Sequence, residues 1–420
     1  EKEYEDARRQ GRRVAIEVMA TRGMQAIAGA RESLREAQAL LRRSDYDGAR
    51  KALVRAERVS KIALYSWEPS VTPEGRGVWF RVYAKSPEEA RALVERVDRS
   101  GMNMLFPETI YWGMTLCPQL WDGAPQQHPQ FAGWDPLEEL IREAHGRGMQ
   151  VHAWCEIFFM GPQGHSPLAK EHPDWVARDR RGGTMAKLES NFHFFCPARP
   201  EGREFILKNL VELARKYELD GLQLDYIRYP RSMPFENGFC YCDYCREKFQ
   251  EEEGADPLEL TPEKTPVLWE KWNRWREKQV SSFVAEASRR LHEARPGLVV
   301  SAAVFPEPEE ERRREILQNW KEWSDGGWVD LLCPMIYRAD TQEMRRLTEM
   351  DLRLAGDTPL LTGLAPFMKL SEEQLVEQIR AARELGARGQ VLFSEEAMTQ
   401  EMREVLREGP YRNAAAVPRF

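Results

Sequence analysis

The chain has 420 residues, 42% of them hydrophobic and 31% charged, with a formal net charge of -7. That length gives room for one large domain, or for one domain with an appendage. The acidic balance argues against a general nucleic-acid binder, which carries a basic face, and no apolar run reaches the roughly 18 residues of a membrane span.

No signal peptide is visible, but the first residue is Glu1 rather than Met. A removed leader is compatible with that, and an extracellular or periplasmic setting is slightly favoured. Seven cysteines is an odd number without a regular disulfide spacing. In a chain able to build a large core, a full disulfide framework is not expected.

Residues 1–67 read as helix. Val14, Ile16, Val18, Met19, Met24, Ile27 and Ala28 recur at helical spacing, Ser44 to Gly48 interrupts, and Ala49 to Leu64 resumes. This predicts a helical hairpin, rich in Arg and Glu, that packs or links rather than catalyses. Residues 68–76 form a Pro/Gly-rich linker. From Gly77 to residue 410, strand-like and helical stretches alternate, and 411–420 are a tail.

The strand-like runs are Val78–Tyr83, Met102–Pro107, Gln150–Phe158, Gly221–Ile227, Val299–Phe305, Val329–Tyr337, Leu360–Leu364 and Gln390–Phe393. Eight strands, each followed by a helix, fit a closed (β/α)8 barrel, an α/β fold. A doubly wound sheet would place a Gly-rich phosphate turn after its first strand, and Ala84-Lys85-Ser86 is none.

Alternation assigns the faces. Leu222 and Leu224 pack outward, so Gln223 and Asp225 point inward at strand four. The same logic turns Trp79, Arg81 and Tyr83 inward on strand one, and His152, Trp154 and Glu156 on strand three. On strand five Ser301, Ala303, Phe305 and Glu307 form the inward set. Asp225, Glu156 and Glu307 then gather at one rim, with Tyr337 at the end of strand six. Buried carboxylates are costly without partners, so several at one mouth mark a site. Ion pairing with Arg81 or Arg228 is the structural alternative.

The run Phe239-Cys240-Tyr241-Cys242-Asp243-Tyr244-Cys245 offers three thiols from one turn, close behind Asp225. A fourth, Cys196, precedes the helix that leads into strand four. Four thiolates in a closed tetrahedron make a structural zinc site. Cys117 is a reserve ligand, Cys155 and Cys333 read as packing residues, and one or two disulfides are the rival reading.

Several segments resemble the glycoside-hydrolase-like family 10 proteins: GVWFRV on strand one, VHAW on strand three, HPDWVARDRRGG after it, DGLQLDYIRYP on strand four and VDLLCPMIY on strand six. The resemblance implies a TIM barrel acting on glycosides, with Asp225 at the family's strand-four aspartate. It also implies an uncharged residue where this chain has Glu156, which makes any role of Glu156 this protein's own. The cysteine cluster is similar to the zinc loop of family 42 β-galactosidases, whose catalytic glutamates have no counterpart here on strands four and seven.

The expected activity is hydrolysis of an O-glycosidic bond by two carboxyl groups: Asp225, then Glu307, then Glu156. Arg81, Trp112, His152, Trp154, Tyr226, Arg228, Tyr229 and Tyr337 are the candidates for holding a carbohydrate. The competing readings are a non-catalytic glycan-binding barrel and a metal-dependent lyase or isomerase. The last lacks a His/carboxylate ligand pair.

Overall fold

The computed structural model describes the backbone of residues 2–306 and 314–420, with side chains from residue 21 onward except residue 22. Glu307, predicted as the second carboxylate, falls outside the described residues.

Helices α1 (Lys2–Arg42) and α2 (Tyr46–Tyr65) form the N-terminal hairpin. They meet through small side chains, Ala30 and Ala37 against Ala49, Ala52 and Ala56, all buried. Asp45 caps α2 by accepting from the Gly48 N–H at 2.9 Å, supplying a partner for one of the orphan donors of the first turn.

The barrel strands are β1 (Gly75–Phe80), β2 (Met104–Tyr111), β3 (Gln150–Glu156), β4 (Gly221–Asp225), β5 (Val299–Val304), β6 (Leu331–Pro334), β7 (Leu361–Leu364) and β8 (Gly389–Phe393). All neighbours run parallel in the order β7-β8-β1-β2-β3-β4-β5-β6. The ring closes between β6 and β7 through a bridge at Leu332–Leu360. Between the strands lie α3 (Pro87–Asp98), α4 (Pro136–His145), α5 (Pro200–Lys216), α6 (Asp243–Glu253), α7 (Pro266–Ala294), α8 (Trp320–Asp325), α9 (Thr341–Ala355) and α10 (Glu372–Leu385), and α11 (Gln400–Glu408) follows β8.

Alternation sorts the strand side chains as expected. Val78, Phe80, Leu222, Leu224 and Cys155 join the large core between sheet and helices. Trp79, Met104, Phe106, Trp154, Ala303 and Cys333 fill the barrel interior instead. Two departures bear on the site. Tyr83, predicted inward, is 60% exposed, because β1 ends at Phe80 and the period-2 rule lapses there. β2 runs four residues past the predicted end at Pro107.

The floor of the barrel is tied to the end of the chain. Arg76, fully buried, donates from Nε to Glu74 at 2.8 Å and from Nη1 to the Asn413 carbonyl at 2.8 Å. Its guanidinium lies 4.6 Å from the centre of the Tyr411 ring. Glu74 is held from its other side by Arg383 Nε at 2.7 Å. Residues 411–420 are thus packed, and Val417 and Phe420 close on the barrel interior. Gly75 and Arg76, in the segment read as linker, are strand.

Replacing Arg76 by Met should cost about 3 kcal/mol, since it leaves buried carbonyls and a buried carboxylate short of donors. Urea unfolding of the variant within about 1 kcal/mol of the parent would show that the network is not a stabilising tie.

Candidate active site

A cavity of about 190 Å3 opens at the carboxyl ends of the strands. Three carboxylates line it, one from each of three consecutive strands: Glu108 on β2, Glu156 on β3 and Asp225 on β4. Glu156 and Asp225 are direct partners in the β3–β4 ladder. All three are buried, Glu108 to 1% exposure, Glu156 to 4% and Asp225 to 7%. Trp79, Trp154, Tyr226, Phe305, Tyr337 and Phe393 supply aromatic walls, and Arg81 and Arg228 the cations.

Each carboxylate is held differently. Asp225 accepts from the Trp154 indole N–H at 2.8 Å and from the Tyr226 backbone N–H at 2.6 Å. Glu156 accepts from the Trp112 backbone N–H at 3.1 Å. The two backbone donors have left-handed backbone, φ 47° at Tyr226 and 54° at Trp112. For aromatic side chains that conformation costs on the order of 1–3 kcal/mol, and such strain clusters where a site needs a fixed donor. Glu108 faces Arg81 Nε at 2.9 Å through Oε2, and its Oε1 has no hydrogen-bond partner.

The electrostatics follow from burial and from like charge. Burial pushes the Glu108 carboxyl up to about 7, with Arg81 opposing and Asp225 adding to the rise. Burial, then Glu108 and Asp225, hold Glu156 well above the usual carboxylate range. Burial also raises Asp225, opposed by the Tyr226 N–H, the Trp154 N–H and Arg228.

A raised carboxyl binds its proton more tightly folded than unfolded. The stability Glu108 contributes is therefore fully present below the ordinary value of 4.5 and is lost as pH rises towards about 7. Glu108→Gln should remove up to about 3 kcal/mol of that pH dependence. Urea midpoints of variant and parent measured from pH 4 to pH 8 check this, and identical slopes would refute it.

The other predicted residues divide by depth. Arg228 is ion-paired with Glu189 at 2.9 Å and stacks against Tyr226, with 4.9 Å from guanidinium to ring centre. Tyr337 stacks on Phe393 at 5.6 Å. Trp112 stands beside the cavity and contributes its N–H. His152 lies below: fully buried, it stacks on Phe106 at 4.9 Å and does not line the cavity. A Cβ on Gly221 would sit 2.0 Å from its Nδ1, so glycine there makes room for the ring. Tyr229 is also buried away from the cavity, its phenol pushed well up by burial beside Cys245, Cys196 and Cys240.

Glu108 was not among the sequence candidates. Its signal was present: Met104, Phe106 and Glu108 alternate on one face, and extending the strand through Pro107 would have turned Glu108 inward.

Behind the site, Cys196, Cys240, Cys242 and Cys245 are all buried, with their Sγ atoms within 4.8 Å of one another. Cys196 Sγ lies 3.3 Å from Cys245 Sγ and 3.6 Å from Cys242 Sγ. A disulfide needs about 2.05 Å, and none is formed. Four thiolates at 2.3 Å from a central ion would stand roughly 3.8 Å apart, so the donor set fits a tetrahedral metal. Cys117 lies elsewhere, beside Tyr217.

Comparison with known proteins agrees with this architecture. The chain is 23% identical over 313 residues to glycosyl hydrolase YngK of Bacillus subtilis, an alignment covering 68% of this chain and 54% of that protein. It is 24% identical over 335 residues to glycosyl hydrolase DigH of Escherichia coli K12, covering 69% and 68%. The chain thus spans about half the length of the first of these relatives. Among solved structures, a β-galactosidase from Marinomonas ef1 superposes with TM-score 0.58 at 13% identity, covering 79% of this chain and 58% of that one. An α-L-fucosidase from Paenibacillus thiaminolyticus gives 0.54 at 16%, covering 81% and 49%. Those two likenesses concern the fold. The family model described as glycosyl hydrolase-like 10 matches residues 74–365, which takes in all three carboxylates and all four clustered cysteines, and the chain belongs to that family.

Proposed function

We propose that the protein hydrolyses O-glycosidic bonds of an oligo- or polysaccharide, with Asp225 and Glu156 as the reacting carboxyl groups. The observation that carries this is the pair itself: two buried carboxyls, ladder partners on β3 and β4, facing one aromatic-walled cavity. Glycoside hydrolysis needs one carboxyl protonated and one ionised, flanking the scissile bond.

Glu156 is suited to be the acid. Burial and two carboxylate neighbours hold its carboxyl well above the usual range and so favour the protonated form, and that proton goes to the leaving oxygen. Asp225 is suited to be the ionised partner, because two N–H donors hold both its oxygens in place. It faces the positive charge that develops at the anomeric carbon. The aromatic walls offer faces on which sugar rings stack.

The four clustered cysteines are proposed to hold a structural zinc. A closed set of four thiolates leaves no position for substrate, so the ion fixes the loop after β4 and takes no part in the reaction.

Reducing-end release from a panel of purified polysaccharides tests the activity. The reading predicts release by the parent protein on at least one of them and none by Asp225→Asn. Sugar binding that survives in Asp225→Asn, with no cleavage by the parent, would instead identify a glycan-binding barrel.

A further inference from the structure

Large apolar side chains stand in water on this protein mainly in one place. Of the sixteen that are exposed among the described residues, ten lie between Met24 and Val71, on or just after the hairpin. On α1, Ile27, Leu34 and Leu41 recur every seven residues, at 42%, 45% and 48% exposure. On α2, Tyr46 and Leu53 are seven residues apart and Leu64 is eleven further on, at 72%, 46% and 59%. Spacings of seven and eleven both return to nearly the same face of an α-helix, so each set is a stripe.

The two stripes lie on the same side of the hairpin. Counting 100° per residue, the stripe stands about 50° forward of the small-residue seam on α1 and about 80° forward of it on α2. Glu36 and Arg55 stand about a quarter turn the other way, and they meet across the hairpin in an ion pair at 2.5 Å. That contact marks one broad face as polar. The exposed apolar stripes of both helices lie on the opposite face, interspersed with polar residues, over a length of about 30 Å at 1.5 Å per residue. The barrel does not cover it: α2 meets α10 and α11 through Tyr65, packed on Val376 and Val405, and through Arg58, paired with Glu404 at 2.5 Å.

The charge around this face selects its occupant. Residues 21–67 hold ten Lys and Arg against five Asp and Glu, in a chain of net charge -7. Arg31 and Arg42 follow the stripe on the outer flank of α1, whereas on α2 Arg50 is paired with Asp47 at 3.2 Å and Lys61 with Glu57 at 3.4 Å and with Glu372 of α10 at 3.5 Å. Two copies meeting face to face would bring the cationic α1 flank close to its own copy, whereas an anionic surface would neutralise it. Tyr46 at one end and Trp67, 48% exposed, at the other add amphipathic rings of the kind that settle at a headgroup boundary. No described helix is long and apolar enough to cross a bilayer, so the hairpin would lie on one.

We propose that this face of the hairpin docks the protein onto an anionic lipid bilayer, its leucines and isoleucine entering the headgroup region while the arginines contact phosphate. The proposal is independent of the catalytic reading, because no cavity residue takes part. It is tested by co-sedimentation of the full chain with extruded vesicles, either phosphatidylcholine alone or an equimolar mixture with phosphatidylglycerol. Binding should be at least tenfold stronger to the mixed vesicles and fall by a similar factor at 0.5 M salt.

Leu34→Asp with Leu53→Asp should abolish it, and Arg31→Glu with Arg42→Glu should weaken it tenfold or more, with far-UV circular dichroism unchanged in the second variant. Failure of the parent to sediment with mixed vesicles overturns the proposal. So does equal binding by the leucine variant. A solution dimer that the leucine variant breaks, without vesicle binding, would assign the face to a second copy instead and likewise overturn it.

Discussion

Asp225→Asn should lower the rate on any cleavable glycoside by about 10² or more while leaving the fold intact. The substitution keeps the shape and one oxygen, and removes the charge that faces the anomeric carbon and the group that titrates. A positioned carboxyl acting in the transition state contributes about 10²–10⁴, and Asp225 is fixed by two N–H donors rather than free to be replaced by water. The amide also meets those donors with an N–H2 on one side, so the loss includes a mispaired buried group. The measurement is kcat on the best substrate from the polysaccharide panel, with unfolding temperature as the control for structure. An Asp225→Asn protein with activity within threefold of the parent would remove Asp225 from the chemistry.

Losing the metal should have the largest effect on stability. Protein purified without chelator should carry about one zinc per chain, as a single four-thiolate site requires. Cys242→Ser should drop that to less than a tenth and lower the unfolding temperature by more than about 10 °C, because the free energy of binding a structural ion is folding free energy. The loop is also held by its backbone: the Tyr241 N–H donates to the Arg178 carbonyl at 2.7 Å, and Phe239 bridges Asp179. Cys240 accepts from the Arg178 N–H at 3.3 Å, and Arg276, fully buried, donates to the Phe239 carbonyl. Cys117→Ser is the matching control and should leave metal content unchanged. A parent protein free of metal, with all seven thiols titratable and the stability of Cys242→Ser unaltered, would end the assignment.

The sequence carried the faces of the strands better than their lengths. Asp225 was legible because Leu222 and Leu224 fix which way β4 packs, and a one-residue error would have exposed both. Glu108 was missed at Pro107. Proline donates no ladder hydrogen bond and reads as a strand end, yet the β1–β2 register pairs Phe80 with Pro107 and β2 continues. Alternation also says nothing about depth. It turned His152 inward correctly, but His152 is four residues before Glu156 on β3, well below the mouth.

Beyond a strand's end the rule fails altogether. The backbone turns left-handed at Tyr226, so Tyr229, read as a sugar contact, packs beside the cysteines instead. The clustering of three cysteines was legible from spacing alone, since C-x-C-x-x-C brings their thiols onto one turn. What spacing could not show was how close Cys196 would come, 3.3 Å from Cys245 and 3.6 Å from Cys242.

The network at the barrel floor also fixes how this domain can be joined to anything else. The Glu74 N–H donates to the Ala416 carbonyl at 2.9 Å, so the strand that opens the barrel and the segment that follows its last helix lie side by side. Both are at the amino ends of the strands, on the side away from the carboxylates. Cargo fused after Phe420 would start from this side of the domain. A bulky polymer could then reach the three carboxylates without steric competition from cargo placed there.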